Sequence, residues 1–147
     1  MQERQLIAYA AINLLIAIAA GAFGAHALKT YLSAEMLSVW QTAVQYQMLH
    51  GLALLALANL SLRWDAKKIR WSAISMLLGI FLFSGSLYLL ASTGIRTLGA
   101  ITPLGGLAFL FGWANLAWAA LAEQSTQENQ SKADINLTQI TRTRDEI

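Results

Sequence analysis

The chain has 147 residues, of which 56% are hydrophobic and 12% charged, with a formal net charge of +2 and no cysteine. Soluble domains carry about a quarter charged residues; with a mean hydropathy of +0.49, this composition points to one membrane domain and excludes disulfides, thiolate metal sites and cysteine nucleophiles within the chain. The basic residues behind the pI of about 9.2 sit in short loops and near the ends rather than along one face, so they carry no nucleic-acid signature.

The spacing of the charges defines the elements. Asp, Glu, Lys and Arg are absent from residues 5–28, 36–62, 71–95 and 97–122, and each window exceeds the roughly 20 apolar residues that cross a bilayer core. The expected fold class is therefore all-α, an integral membrane bundle of four transmembrane helices. The first span covers about residues 6–27, with Asn13 as its strongly polar interior residue. After a connection at 29–33, Ser33 is placed to cap a helix opening Ala34-Glu35-Met36, with the acid in its first turn. An unbroken helix from there to Leu62 would be about 43 Å long, more than one bilayer core. Residues 34–42 are therefore expected as a short interfacial helical segment, with Trp40 at headgroup depth, and residues 43–62 as the second span.

The loop RWDAKKIR, residues 63–70, sets four bases against one acid, which by the positive-inside rule makes it cytoplasmic and brings both termini to the same side. Lys29 and Arg96 then lie outside. The third span is expected over 71–93 and an outer loop over 94–101. Thr102 as cap and Pro103 at the first helical position open the fourth span at 103–122. Residues 1–122 form the membrane domain in this reading. Residues 123–147, rich in Gln, Ser, Thr, Asn and charge, are expected as a polar, disordered cytoplasmic tail with too little apolar surface to order.

The end of the first span, GAFGAHALK, admits three readings. Ala25-His26-Ala27 has the A-x-A form of a signal-peptidase site, but the apolar run before it exceeds the roughly 7 to 15 residues of a signal core and Glu3 offsets Arg4. A retained span accounts better for the small residues: Gly21 and Ala25, like Ala20 and Gly24, are four apart and form faces on which another helix can come close. Gly85 and the pair Gly105 and Gly106 read the same way, as helix packing, ahead of an anion site at a helix start.

Four stretches, GAFGAHALK, WQTAVQYQMLHGLALLAL, FSGSLYLL and ITPLGGLAFLFGW, fall one per span and in order. Together they resemble the small bacterial inner-membrane family catalogued as domain of unknown function 423, over about Leu6 to Leu121. The resemblance implies a multi-pass inner-membrane protein of the same four-span fold; it implies no reaction, cofactor or catalytic residue, and the tail lies outside it.

No carboxylate lies inside any span, so paired-acid catalysis, carboxylate metal cages and acidic proton relays lack their components there. Thr42, Tyr46 and His50 share one helical face and Gln47 stands on its edge. With His26 at the outer end of the first span, His26, Tyr46, Gln47 and His50 make a candidate polar pocket. Two histidines invite haem or a metal, but His50 lies roughly 7 to 10 Å deeper than His26 by helical rise and no third ligand is evident; neither metal nor cofactor is expected. Two functions remain open. The favoured one is a non-enzymatic membrane component that binds lipid, a membrane protein partner or its own copies. The alternative is a small-molecule transporter or membrane enzyme with an outward-facing pocket around His26, Tyr46 and His50.

Overall fold

The computed structural model describes residues 2–145, and among these there is no strand. Helix α1 (Glu3–His26) leads through a 3-10 turn to α2 (Ala34–Leu60). Helix α3 (Ala66–Gly79), a π turn (Ile80–Ser84) and α4 (Gly85–Thr93) form the next rod, and a second 3-10 turn (Arg96–Ala100) precedes α5 (Thr102–Asp145). The boundaries follow local chemistry. Ser33 Oγ accepts the Met36 N–H at 3.2 Å at the start of α2, and Asp65 Oδ1 accepts the Lys67 N–H at 2.8 Å at the start of α3, each filling an orphan donor of a first turn. Helix α4 ends at Gly94, whose φ of 72° lies in the left-handed region and lets its N–H donate back to the Leu90 carbonyl at 2.9 Å; a side chain there would be strained.

Three apolar segments, Glu3–Thr30, Ala66–Thr93 and Arg96–Glu123, are long and apolar enough to cross a membrane. Helix α2 is long enough at 27 residues but falls outside this group, because Gln45, Gln47, His50 and Asn59 interrupt its apolar run. The structure adds detail to three expectations. Nothing breaks α2 after residue 42, so residues 34–42 are, as expected, the first part of one helix. Trp40 is turned into the helix seam: its indole N–H donates to the Ala20 carbonyl at 2.9 Å and its ring lies 4.6 Å from that of Tyr88. Finally, α5 continues as helix to Asp145, beyond residue 123 where the polar tail begins. No Gly or Pro occurs after Gly112, so no local signal stops the helix once it has begun. Residues 146 and 147 lie outside the described residues.

The rods pack chiefly as two pairs, α1 on α2 and α3 on α5, with α2 also touching α4 and the π turn. One end of the bundle holds an apolar core in which Leu6 and Ala10 meet Leu54 and Leu57, Ile69, Ala73 and Met76, and Phe109. Elsewhere the usual distribution is inverted. Leu15, Phe81 and Leu110 are 69%, 75% and 66% exposed, whereas Gln47, His50, Ser72, Ser84 and Ser86 are buried.

Small residues let the rods approach. Ala20 supplies the carbonyl bonded to Trp40, a Cβ on Gly21 would meet Val44 at 3.3 Å, and one on Gly24 would meet the Trp40 ring at 2.8 Å. A Cβ on Gly105 would collide with the Phe83 backbone, and one on Gly79 with the Phe109 ring. Ala25 is exposed, and nothing lies within 4 Å of where a Cβ would stand on Gly85 or Gly106. These three residues therefore make no close seam within the chain. Gly51 and Gly112, not singled out from sequence, are tight against Leu14 and against Met76 with the Ser72 carbonyl.

The contrast between the neighbouring glycines is testable. Gly105→Ala should cost about 1 to 3 kcal/mol, as overpacking does, and Gly106→Ala should stay within about 0.5 kcal/mol. Thermal unfolding of the two variants in one detergent checks this, and equal midpoints would contradict the Gly105 contact.

Candidate functional site

The polar residues of α2 turn to two different neighbours and build two sites. On one side, Gln47 is 4% exposed. Its Nε2 donates to the Asn13 carbonyl of α1 at 3.2 Å, and its Oε1 accepts the Tyr88 hydroxyl of α4 at 2.9 Å. Asn13 in turn donates from Nδ2 to the Tyr9 carbonyl at 2.8 Å. Buried amides in an apolar layer cost free energy unless bonded, and both ends of this one are.

On the other side, His50 is 2% exposed. Its Nδ1 lies 2.8 Å from the Tyr46 carbonyl, and the Trp113 indole N–H donates to its Nε2 at 3.2 Å. A carbonyl only accepts and an indole N–H only donates, so the ring carries its proton on Nδ1 and is neutral. The imidazole also stacks on Phe109 with ring centroids 3.5 Å apart, and Tyr46 stacks on Phe83 at 4.3 Å. Beside these rings opens a groove of about 600 Å³, lined by Tyr46, His50, Phe83, Gly106, Leu110 and Trp113 among others. Its lining is almost wholly aromatic and aliphatic, and both imidazole nitrogens are already bonded. The groove therefore offers apolar contact, ring stacking and the Tyr46 hydroxyl, and its imidazole is engaged at both nitrogens.

The four residues expected to share a pocket are divided by the fold. Tyr46 and His50 line the aromatic groove, Gln47 faces the opposite seam, and His26 is exposed at the end of α1. His50 stands roughly 24 Å along α2 from its first residue at 1.5 Å per residue, whereas the end of α1 lies by the start of α2. Among the described residues no three His, Asp or Glu side chains converge as metal ligands. Sequence reasoning missed Phe109, Trp113, Ser84 and Tyr88 as site residues. The available signal was their spacing, since each pair is four apart and so shares a helical face.

The sequence profile of a family described as "protein of unknown function (DUF423)" matches residues 20–106, more than half of the chain. Protein relatives extend the likeness further. A UPF0382 membrane protein of Staphylococcus saprophyticus is 50% identical over 106 residues, 72% of this chain and 88% of its own length. The UPF0382 membrane protein YwdK of Bacillus subtilis is 46% identical over 112 residues, 76% of this chain and 91% of its own.

The chain belongs to this family. The UPF0382 inner membrane protein YgdD of Escherichia coli K12, 41% identical over 121 residues covering 82% of this chain and 92% of its own, places a family member in the inner membrane by its name. Membership and the three long apolar helices together make this chain a multi-pass membrane protein. No solved structure matches it. None of these names states an activity, so the site's chemistry has to be argued from its own geometry.

The Gln47–Tyr88 bond gives a direct test. In a cycle of Gln47→Leu, Tyr88→Phe and the double variant, the two changes should couple by about 0.6 to 1.7 kcal/mol, the range of interhelical hydrogen bonds in membranes. Unfolding in mixed micelles measures it; zero coupling would mean the bond contributes nothing to stability.

Proposed function

We propose that this protein is a non-enzymatic component of the bacterial inner membrane that crosses the bilayer four times, keeps both termini in the cytoplasm, and binds a lipid acyl chain in the aromatic groove beside His50. The observation that carries the reading is the groove itself, about 600 Å³ bounded by Tyr46, His50, Phe83 and Trp113 with few polar atoms on its walls. A hydrocarbon chain gains dispersion contact with such walls and leaves no polar group unpaired.

The fourth crossing is α2. Its polar residues Gln47 and His50 are bonded inward, while Leu49 and Leu52 stand more than half exposed on its outer side. An outward leucine face with inward amides suits lipid and does not suit water. The inner side is supported by the basic loop 63–70, where Asp65 N–H donates to Glu123 Oε1 at 3.1 Å and the Lys68 ammonium lies 4.7 Å from the centre of the Trp118 ring. These ties hold the loop against α5 at the level where positive charge is expected to remain inside. The alternative of a transporter or enzyme pocket shared by His26, Tyr46 and His50 draws no support from the distant placement of His26.

Two measurements follow. Fusions of alkaline phosphatase within residues 29–33 or 94–101 should be active, and fusions after the last residue or within 63–68 inactive; an active carboxy-terminal fusion would refute the topology. For the groove, Gly106→Leu should fill it without displacing protein atoms, because nothing lies within 4 Å of a Cβ there. Native mass spectrometry should then show bound phospholipid falling several-fold relative to the wild type. Equal lipid retention by the two proteins would count against acyl-chain binding.

A further inference from the structure

Across α2 from the aromatic groove, a second cavity of about 350 Å³ lies between α1, α2 and the π turn, lined by Asn13, Gln47, Ser84 and Tyr88 together with Ile16 and Ile80 among its apolar walls. It shares no lining residue with the first groove. At 1.5 Å per residue Asn13 is roughly 15 Å along α1 and Gln47 roughly 20 Å along α2, close to the middle of each helix. No Asp, Glu, Lys or Arg lines the cavity.

Ser84 is the unusual member. It is 1% exposed, yet its hydroxyl is a buried side-chain oxygen with no hydrogen-bond partner among the described residues. Farther along the same rod, Ser92 and Thr93 each donate to a carbonyl one turn back, to Tyr88 at 2.7 Å and to Leu89 at 2.7 Å. Ser84 closes the π turn, where the Ile80 carbonyl, four residues before it, accepts the Gly85 N–H in a ring one residue wider than that of an α-helix. A buried hydroxyl without a partner is costly, and π turns within α-helices recur at functional sites. The neighbouring groups are half used. Tyr88 donates its proton to Gln47 and keeps lone pairs on its oxygen, and the Asn13 amide donates to Tyr9 and keeps an oxygen able to accept.

We infer that this cavity is a mid-membrane binding site for a small uncharged solute bearing both a hydrogen-bond donor and an acceptor, a carboxamide or a hydroxyl compound, with the Ser84 hydroxyl as its anchoring contact. The Tyr88 and Asn13 oxygens accept from the solute's N–H or O–H, and Ser84 completes the set as donor or acceptor. An ion is refused because the cavity holds no countercharge, and desolvating one at this depth is costly. Irregular backbone lining a polar cavity at the middle of the membrane is the arrangement by which spanning helices expose bonding groups to solutes. The inference goes beyond the acyl-chain reading and does not depend on it.

The test uses the full chain in nanodiscs and fluorine NMR of fluoroacetamide, with fluoroacetate as the charged counterpart. Fluoroacetamide should broaden saturably and be displaced by acetamide, and fluoroacetate should not. Ser84→Ala should weaken fluoroacetamide binding about tenfold without lowering the unfolding midpoint, since the hydroxyl removed bonds nothing in the protein. Tyr88→Phe, which keeps the ring against Trp40, should weaken it several-fold and serves as the second variant. Gly106→Leu, which fills only the aromatic groove, should leave it unchanged, so failure of one site is separable from failure of the other. Absence of saturable broadening in the wild type, meaning a cavity that holds only water, would overturn the inference, and so would an unaltered affinity in both Ser84→Ala and Tyr88→Phe.

Discussion

Gln47 lies where three helices meet, and the two ends of its amide reach two of the others: the Asn13 carbonyl in α1 and the Tyr88 hydroxyl in α4. Its position constrains the bundle because lipid tails are as apolar as leucine, so burial of apolar side chains does not drive one helix against another inside a bilayer. Polar groups that have to find a partner within the protein do select a depth and a face. Asn115 acts in the same way between the other pair of rods, donating to the Lys68 carbonyl at 2.7 Å and to Ser72 Oγ at 2.8 Å. With α1 set against α2 by one amide and α3 against α5 by another, the rods have little freedom to slide.

Once depth is set, contact distance decides packing. The backbones of α5 and the π turn come together at Gly105 and Phe83, and α3 admits the Phe109 ring at Gly79. Phe109 placed there supports His50 by stacking on it at 3.5 Å. Both sites of the molecule therefore depend on the same few approaches. The aromatic groove exists because Phe83 and Phe109 are held beside α2, and the second cavity is lined by Ile80 and Ser84 of the π turn in the same rod. The binding properties proposed for the two sides differ because one side is walled by rings and the other carries amide and hydroxyl groups among its apolar walls.

His50 illustrates how far a residue type can mislead. A buried histidine among tyrosine and glutamine suggests a proton site, yet its two nitrogens are engaged by Tyr46 and Trp113 and its face by an aromatic ring. In that setting the imidazole serves as a neutral, bonded ring, and the chemistry available around it is recognition by contact. Ser84, by contrast, has a buried hydroxyl with no partner among the described residues. Ser86, two residues on, has its hydroxyl 2.8 Å from Thr102 Oγ1 and 3.0 Å from the Phe83 carbonyl.

The order of the helices, the membrane class and the cap at Ser33 were legible in the sequence alone, because charge exclusion from hydrocarbon and first-turn hydrogen bonding act within a few residues. The family resemblance was legible for the same reason, as four local stretches in order. Which small residues touch a neighbour, which face of α2 each polar side chain takes, and which hydroxyl is left unpaired were decided only by the tertiary structure. Gly105 and Gly106 are adjacent and identical in chemistry, and so nearly are Ser84 and Ser86. What separates them is the position of a backbone or an oxygen on another segment, and a one-dimensional pattern does not carry that distance.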